Sequence, residues 1–430
     1  MANETLRRNL DRAFDPGPDF PDRLLVSRTM ATLDAEAKIG GRGRERRGIA
    51  LLWPQTGRRL AAALLIVVLA TAAVGVYLVA HRAISEPVPA GPPAPRVTIA
   101  FGRVNANGDE YSFTIRADGT GEKQLVATPS GGVRWSHRGD RLLLAAFPSA
   151  NRMTTATVKA DGSDYRALPL DSSLNLGPGA WSPDDSRIAF EGWDDSSPSR
   201  NGLYTADATG GGNRQRLTAT TAAMHDIPIS YSPDGSKILF WRGPANVFGQ
   251  PAGQLFLVGV NGGAVKQVSP SGMTVWACCW FGDPGGWSPD GANISFAAFS
   301  PTASDPGRSA VFVAAGDGTN AKQISDWGEY TTSARWSPTG DWIVFDKIND
   351  AAGAHTFYLV HPDGSGTTTI PSLAAVCCAL WSPGGDRLLF AKGPSDQAMN
   401  LWTVNIDGSH LAQLTHTPAK LTDIGWSAAT

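Results

Sequence analysis

A five-residue segment, Trp-Ser-Pro-Asp-Gly, recurs along this chain and restricts its fold more than any other feature. The complete copy occupies residues 287–291. Related copies begin at Trp135, Trp181, Tyr231, Trp336 and Trp381, and a truncated copy, Trp-Ser, begins at Trp426. Successive copies lie 46, 50, 56, 49, 45 and 45 residues apart. An aromatic residue followed by a tight turn, repeated at such a period, is typical of a radial β-repeat.

Each repeat carries the pattern of four short strands. A continuous apolar run follows the segment, as in Arg187-Ile-Ala-Phe, and an alternating run comes next, as in Leu203-Tyr-Thr-Ala-Asp. A second Gly-containing turn and a short last strand, such as Arg216-Leu-Thr, complete the unit. Apolar runs of this length between turn residues indicate antiparallel strands. With 48 Gly, 30 Pro and only 18% charged residues, the composition favours strands and turns over long solvated helices.

The two ends of the repeat region complement each other. Residues 97–102 match the strand that should follow a Trp-Ser-Pro-Asp-Gly turn, but no such turn precedes them. Trp426-Ser begins that turn, but no strand follows it. The strand at 421–426 should therefore pair beside the first strand and form a composite blade, which leaves no long unpaired sheet edge. We predict an all-β, seven-bladed β-propeller over residues 96–430, with six or eight blades as less favoured alternatives.

The residues of the repeat suit structural roles. Pro presets φ, Ser can bond the turn backbone, Asp-Gly tolerates the left-handed conformation, and Trp can pack between blades. A calcium ladder built on the Asp is less favoured, because Arg138, Thr339 and Gly384 occupy its position in other copies. The copies resemble the TolB-like (WD40-like) β-propeller repeat, also found in propeller domains of prolyl-oligopeptidase-type peptidases. The resemblance covers 96–430 and implies a scaffold that binds proteins or ligands.

The residues before the repeats predict a membrane anchor. Residues 60–80 contain no charge, and as a helix they would be about 31 Å long, which suffices to cross a bilayer. Six Arg lie between positions 42 and 59, so the N-terminus is expected in the cytoplasm and the propeller outside it, as a single-pass protein of the cell membrane. A cleaved signal peptide is the alternative, with a possible site at 83–85. Residues 81–95 form a Pro-rich linker.

The cytoplasmic tail, 1–59, is expected to be partly disordered or to form short helices, and docking of a cytoplasmic partner is the alternative reading. Without a basic cluster in the propeller, nucleic acid is not an expected partner.

One rim of the propeller is predicted to carry the binding site. The first and third turns of each blade are tight, whereas the insertions fall in the second turns and the connections between blades, which share the other rim. Binding residues tend to lie on loops held by a rigid scaffold. The candidates on this loop-rich rim are Trp193, Asp194, Asp195, His225, Asp226, Phe248, Trp276, Trp280, Phe281, Trp327, Glu329 and Tyr330. The alternative is that these aromatic residues cap the hydrophobic layers of their own blades.

All four cysteines occur as adjacent pairs, Cys278-Cys279 and Cys377-Cys378. An even number in an extracytoplasmic domain favours disulfides, with buried thiols as the alternative. A zinc site is less favoured, because structural zinc usually needs Cys-x-x-Cys spacing. We therefore predict no metal and no cofactor.

These features favour a membrane-tethered scaffold or sensor that binds a protein, peptide or glycan. A signalling protein whose tail contacts a cytoplasmic regulator is one alternative. A glycan- or peptide-acting hydrolase or lyase is the other, and it is less favoured because no Gly-x-Ser-x-Gly elbow is present. Paired carboxylates need no sequence signature, so Asp194, Asp226 and Glu329 are the first residues to test for catalysis.

Overall fold

Seven antiparallel sheets make up the part of the chain that the structure describes. This computed structural model describes residues 97–149, 152–169, 173–244, 251–276, 285–301, 308–329, 331, 333–349, 354–370 and 377–428. The predicted tail, membrane helix and linker lie outside these residues. Within the described ranges, no helix is long and apolar enough to cross a membrane.

Each sheet is one blade of four main strands. The first strand lies at the inner edge of the blade and the fourth at the outer edge. Blade 1 has an inner strand from the end of the chain, β30 (Lys420–Trp426), followed by β1 (Thr98–Val104), β2 (Glu110–Arg116) and β3 (Lys123–Gln124). Blade 2 contains β4 (Ser130–Trp135), β5 (Arg141–Ser149), β6 (Arg152–Lys159) and β7 (Arg166–Ala167). Blade 3 contains β8 (Asn175–Trp181), β9 (Arg187–Trp193), β10 (Gly202–Asp207) and β11 (Gln215–Arg216). Blade 4 contains β12 (Met224–Tyr231), β13 (Lys237–Pro244), β14 (Pro251–Gly259) and β15 (Lys266–Gln267), with β16 (Val275–Trp276) paired to β14.

The remaining three blades follow the same order. Blade 5 contains β17 (Gly285–Trp287), β18 (Asn293–Phe299), β19 (Arg308–Ala315) and β20 (Lys322–Gln323), with β21 (Gly328–Glu329) paired to β19. Blade 6 contains β22 (Ala334–Trp336), β23 (Ile343–Asn349), β24 (Ala354–Val360) and β25 (Thr368–Thr369). Blade 7 contains β26 (Cys377–Trp381), β27 (Arg387–Lys392), β28 (Asn400–Asn405) and β29 (Ala412–Gln413).

The inner strands form a closed circle. Each contacts the next in the order β30, β4, β8, β12, β17, β22 and β26, and β26 contacts β30 again. The hydrophobic core is divided in the same way. Seven clusters of buried side chains occur, and each combines residues of two adjacent blades. The predicted seven-bladed propeller is therefore confirmed, and its core lies in the seams between blades.

The composite blade closes the ring as predicted. In blade 1, Ile99 of β1 pairs with Trp426 of β30. In the continuous repeats, the Ser of the turn accepts a hydrogen bond from the N–H five residues later, as Ser182 does from Arg187 at 2.9 Å. Ser427 makes the same bond across the break in the chain, because its Oγ accepts from Thr98 N at 2.9 Å. One structural turn is thus shared by the two ends of the repeat region.

The Trp of the repeat joins neighbouring blades by a hydrogen bond. In five blades its Nε1 donates to the carbonyl oxygen of the residue just before the repeat aromatic of the preceding blade. The pairs are Trp135–Gly425 (3.0 Å), Trp181–Arg134 (3.1 Å), Trp336–Gly286 (3.1 Å), Trp381–Arg335 (3.0 Å) and Trp426–Leu380 (3.4 Å). This series of five bonds, here called the Trp relay, explains why Trp recurs at that position.

Blade 4 interrupts the Trp relay. Its repeat begins with Tyr231, which has no ring N–H and instead pairs through its hydroxyl with Thr205 Oγ1 at 3.0 Å. On the other side of the blade, Trp287 Nε1 is buried and has no hydrogen-bond partner among the described residues. Blade 4 therefore packs against blades 3 and 5 without the Trp Nε1 hydrogen bond that the other five seams share.

The Asp of the repeat stabilises its own turn. The carboxylate of Asp184 accepts hydrogen bonds from the Ser182 hydroxyl at 2.6 Å and from the Ser186 backbone N–H at 3.1 Å. These bonds lower the pKa of Asp184 to about 2, because they favour the charged form. The carboxylate is thus engaged by residues of its own turn.

The outer strands have only two residues each and protect their own edges. A Gln in four of them donates its Nε2 to the carbonyl oxygen two residues later, at 2.7 to 2.9 Å. In three of these blades the later residue is Ser269, Ser325 or Thr415, and its hydroxyl accepts from the backbone N–H of the third strand. Short edges covered in this way discourage pairing with other chains.

Candidate functional site

The loop-rich rim lies where the second strand of each blade passes to the third and where one blade connects to the next. Of the twelve candidate residues, the structure places the side chains of Trp193, Asp194, Asp195, His225, Asp226 and Trp327. Trp276 and Glu329 are placed only as strand positions, opposite Pro251 and Arg308. Phe248, Trp280, Phe281 and Tyr330 lie outside the described residues, as do Cys278 and Cys279. Cys377 and Cys378 lie in β26, which sets only their backbone position.

Asp194 organises the loop between β9 and β10. Its buried carboxylate accepts from the Ser173 hydroxyl at 2.5 Å, from the Ser196 hydroxyl at 2.6 Å and from Arg200 Nη1 at 2.9 Å. The hydroxyl bonds lower the pKa of Asp194 to about 2. All these partners belong to the loop region of blade 3, so the carboxylate is held by its own surroundings.

Asp226 is likewise engaged within the fold. Its fully buried carboxylate forms two bonds with the Arg242 guanidinium, from Nε at 2.6 Å and from Nη2 at 2.7 Å. The Thr218 hydroxyl also donates to it. Thr218 in turn accepts from Leu203 N at 2.9 Å. Asp226 therefore fixes the connection between blades 3 and 4, and a two-point Arg–carboxylate pair is the strong form of such a bond.

Trp327 packs into blade 5. Its ring stands edge-on to Phe312, with 6.0 Å between the ring centroids, and it lies against the core cluster between blades 4 and 5. This placement agrees with the capping role that was the alternative reading for the aromatic residues.

A buried Glu–His pair lies between blades 3 and 4. Glu191 of β9 accepts a hydrogen bond from Nδ1 of His225 at the start of β12. The side chains are 9% and 15% exposed, so the pair is largely removed from water yet reaches the rim. The pair bridges one of the seams where the Trp relay is missing.

The environment raises the pKa of both partners. Burial raises the pKa of Glu191 above its usual value, although the bond and charge of His225 oppose that effect. For His225, burial acts to lower the pKa, but the bond and charge of Glu191 and the charges of Asp195 and Asp226 outweigh it and raise the pKa. Each partner thus acts on the pKa of the other, so the two groups titrate as a coupled pair.

Trp193 and Asp195 complete the group at the surface. The partly exposed Trp193 ring stands edge-on to the His225 ring, with 6.4 Å between centroids. Asp195 is exposed and close enough for its charge to act on His225. The charges of Asp194 and Asp226 are balanced by Arg200 and Arg242. We call Glu191, Trp193, Asp195 and His225 the rim cluster. It combines a partly exposed aromatic surface, an exposed carboxylate and a buried, hydrogen-bonded Glu–His pair.

Glu191 was not among the site residues predicted from the sequence. A signal was present, because a charged residue interrupts the otherwise apolar strand Arg187-Ile-Ala-Phe-Glu-Gly-Trp. Strands at the same position in blades 2, 5 and 7 carry Ala145, Ala297 and Ala391 there. Blade 6 also carries a buried carboxylate, Asp346, at this position, and blade 4 carries Trp241. A buried carboxylate requires a partner, and His225 supplies one for Glu191.

Across the described ranges, no group of three or more His, Cys, Asp or Glu side chains is arranged to hold a metal ion.

Comparison with known proteins gives the fold. No family model matches the sequence, and no curated protein matches it. Solved structures are similar. Puromycin hydrolase is 14% identical with a TM-score of 0.55, and the similarity covers 77% of this chain and 54% of that one. Oligogalacturonate lyase from Vibrio parahaemolyticus is 13% identical with a TM-score of 0.51, covering 68% and 88%. TolB from Acinetobacter baumannii is 15% identical with a TM-score of 0.45, covering 77% and 83%.

The class that follows is the β-propeller, here with seven blades. At these identities the likeness to puromycin hydrolase and oligogalacturonate lyase concerns the fold alone. This chain spans about half the length of puromycin hydrolase. The two enzymes show that the propeller architecture occurs in catalytic proteins. Because one fold can serve many functions, the function of this chain depends on the side chains of its site.

Proposed function

We propose that this chain is a membrane-tethered binding protein whose propeller takes its ligand on the loop-rich rim over blades 3 and 4. The observation that carries the proposal is the rim cluster, in which Trp193 stands partly exposed beside His225 and Asp195. The rigid closed ring holds these side chains in place without a ligand, so little ordering is needed for binding. A Trp flanked by polar groups is the composition of a binding hot spot for a protein, peptide or glycan.

Substitution of Trp193 tests the binding site. The purified full-length chain in detergent is screened against arrays of glycans and peptides, and the dissociation constant of the best probe is measured. We expect Trp193→Ala to weaken that probe at least tenfold, about 1.4 kcal/mol, because truncation of a central aromatic usually costs more than that.

Tyr165 provides the matched control. It is also an exposed aromatic, 42% exposed, but it lies beside the tight turn between β6 and β7 on the opposite rim. Tyr165→Ala should bind the probe as the unsubstituted chain does. Equal weakening by both variants, or none by Trp193→Ala, would rule out the rim cluster as the binding site.

The membrane anchor is inferred from the sequence alone. The uncharged stretch at 60–80 and the Arg residues before it support a single-pass anchor with the propeller outside the cytoplasm. Protease added to intact cells should digest a tag at the C-terminus and spare one at the N-terminus.

A signalling version adds a cytoplasmic partner for residues 1–59. Capture of one protein by the full chain, lost when that tail is deleted, would support it.

A hydrolase or lyase acting on glycans or peptides is a second candidate, favoured by the Glu191–His225 pair. A buried carboxylate that is hydrogen-bonded to an imidazole near the surface is suited to general acid–base catalysis. Turnover of a glycan or peptide substrate that Glu191→Gln abolishes would favour this candidate. Turnover unaffected by Glu191→Gln would place catalysis elsewhere.

A further inference from the structure

Glu110 lies where the two ends of the propeller meet. It is the first residue of β2, on the rim that carries the loops. Its side chain passes over Gly102 of β1 and reaches Thr422 of β30, whose hydroxyl donates to Glu110 Oε1. The carboxyl also lies directly against Gly131 of β4, the inner strand of blade 2. One side chain thus touches the first strand, the last strand and the next blade.

Glycines create the space that this carboxyl occupies. A side chain at Gly131 would collide with the carboxyl of Glu110, and one at Gly102 would collide with Glu110 and with Thr422. Glycine at such positions commonly marks a close approach of another group to the backbone. The seam between blades 1 and 2 is therefore built around the carboxyl of Glu110.

A second carboxylate sits beside it. Asp423 of β30 is buried, and its oxygens accept from Gly132 N at 3.0 Å and from Arg134 Nη1 at 3.2 Å. Asp423 is ion-paired with Arg134, but its charge still acts on Glu110. Lys420, on the same strand, attracts the charged form of Glu110. These are the charged groups that face Glu110 from β30 and β4.

We propose that Glu110 is a proton-operated latch on the closure of the ring. With its proton, the carboxyl fills the glycine-lined space and bonds to Thr422 without adding charge. Without its proton, two carboxylates of blade 1 repel each other at this seam, and the closing strand β30 detaches more easily from β1 and β4.

The sign of the pH dependence follows from the chemistry of the site. Burial first, and then the charge of Asp423, raise the pKa of Glu110 from 4.5 to about 8, although the Thr422 bond and Lys420 oppose this. Between the usual pKa of Glu and about pH 8, the closed ring therefore holds a proton that the open form has released. Closure is strongest in acid, weakens as pH rises from about 4.5 to about 8, and is constant above that range.

Hydrogen exchange of the full-length chain tests the latch. Protection of the amides in β30, corrected for the intrinsic rate, is measured from pH 5 to pH 9.5 in detergent. We expect the opening constant of β30 to rise by about tenfold per pH unit between about pH 5 and pH 8, and then to level off. Glu110→Gln keeps the shape of the side chain without a titrating proton, so its opening constant should not vary with pH.

Two further variants separate the latch from a structural role of Glu110. Glu122→Gln changes a Glu of the same blade that pairs with Arg103, and it should keep the pH dependence of the unsubstituted chain. Asp423→Asn removes the repelling charge, and it should move the levelling point to lower pH. The latch is refuted if β30 opens independently of pH in the unsubstituted chain, or if Glu110→Gln opens with the same pH dependence. An unchanged levelling point in Asp423→Asn would refute the paired carboxylates as its cause.

Discussion

Trp426→Ala should lower the free energy of unfolding of the chain by about 3–5 kcal/mol, the usual cost of truncating a packed aromatic side chain. Trp426 packs against the core cluster between blades 7 and 1, and its Nε1 donates to Leu380 O at 3.4 Å. It also ends the strand that pairs with Ile99. Deletion of residues 422–430 should destabilise the chain further, because it removes most of the inner strand of blade 1. Urea unfolding followed by circular dichroism measures both effects.

Trp342 supplies the control for this experiment. It is the same residue type, but it lies next to a turn of blade 6 and stacks on His361, with 3.7 Å between the ring centroids. Trp342 is also partly buried against a core cluster, the one between blades 6 and 7, but it joins no two ends of the chain. Trp342→Ala should therefore cost less than Trp426→Ala, which removes the same kind of packing and also weakens the closing strand. Equal losses in the two variants, or a chain that keeps its stability without residues 422–430, would contradict closure by the composite blade.

The largest effect of a single substitution at the rim is expected for His225→Ala. It leaves the carboxyl of Glu191 buried without its partner, and breaking a buried pair in this way costs about 3–5 kcal/mol. The loss should be smaller at pH 5 than at pH 8, because Glu191, with its raised pKa, can take up a proton in acid and remain neutral. Unfolding curves of the variant and the unsubstituted chain at the two pH values measure this difference.

A second substitution should rescue the first. Glu191→Gln in the His225→Ala background removes the buried charge, so the double variant should be more stable than His225→Ala at pH 8. His361→Ala is the control, because His361 bonds through Nδ1 to the Asp341 carbonyl oxygen and has no buried carboxylate as its partner. No recovery in the double variant would show that the cost of His225→Ala comes from packing alone.

The repeat made the architecture predictable from sequence. Each Trp-Ser-Pro-Asp-Gly copy fixes a turn and the two strands beside it, so the blade count follows from the copies. The incomplete copy at Trp426 and the orphan strand at 97–102 also specified the composite blade. These inferences succeeded because they depend on local turn chemistry that is repeated several times.

The site was less predictable, because its contacts join residues that are far apart in sequence. Asp194 and Asp226 were candidates from their loop positions, yet each is engaged by neighbours, Arg200 and Arg242, that the sequence did not link to them. Glu191 was not predicted as a site residue, because it lies within a strand and not on a loop. Glu110 meets Thr422 across 312 positions of the chain, a pairing that only the closed ring creates.

The Trp relay has a consequence for how such a ring can change over time. Every donor in it comes from a side chain, while every acceptor is a backbone carbonyl, so the acceptor position imposes no residue type. Gly425, Arg134 and Leu380 all supply the acceptor there, although their side chains differ. A duplicated or deleted unit would therefore find its bonding partners already present on either side. Addition or removal of a whole unit would therefore preserve the pattern of these bonds, because each unit supplies its own donor and offers a backbone acceptor to the next.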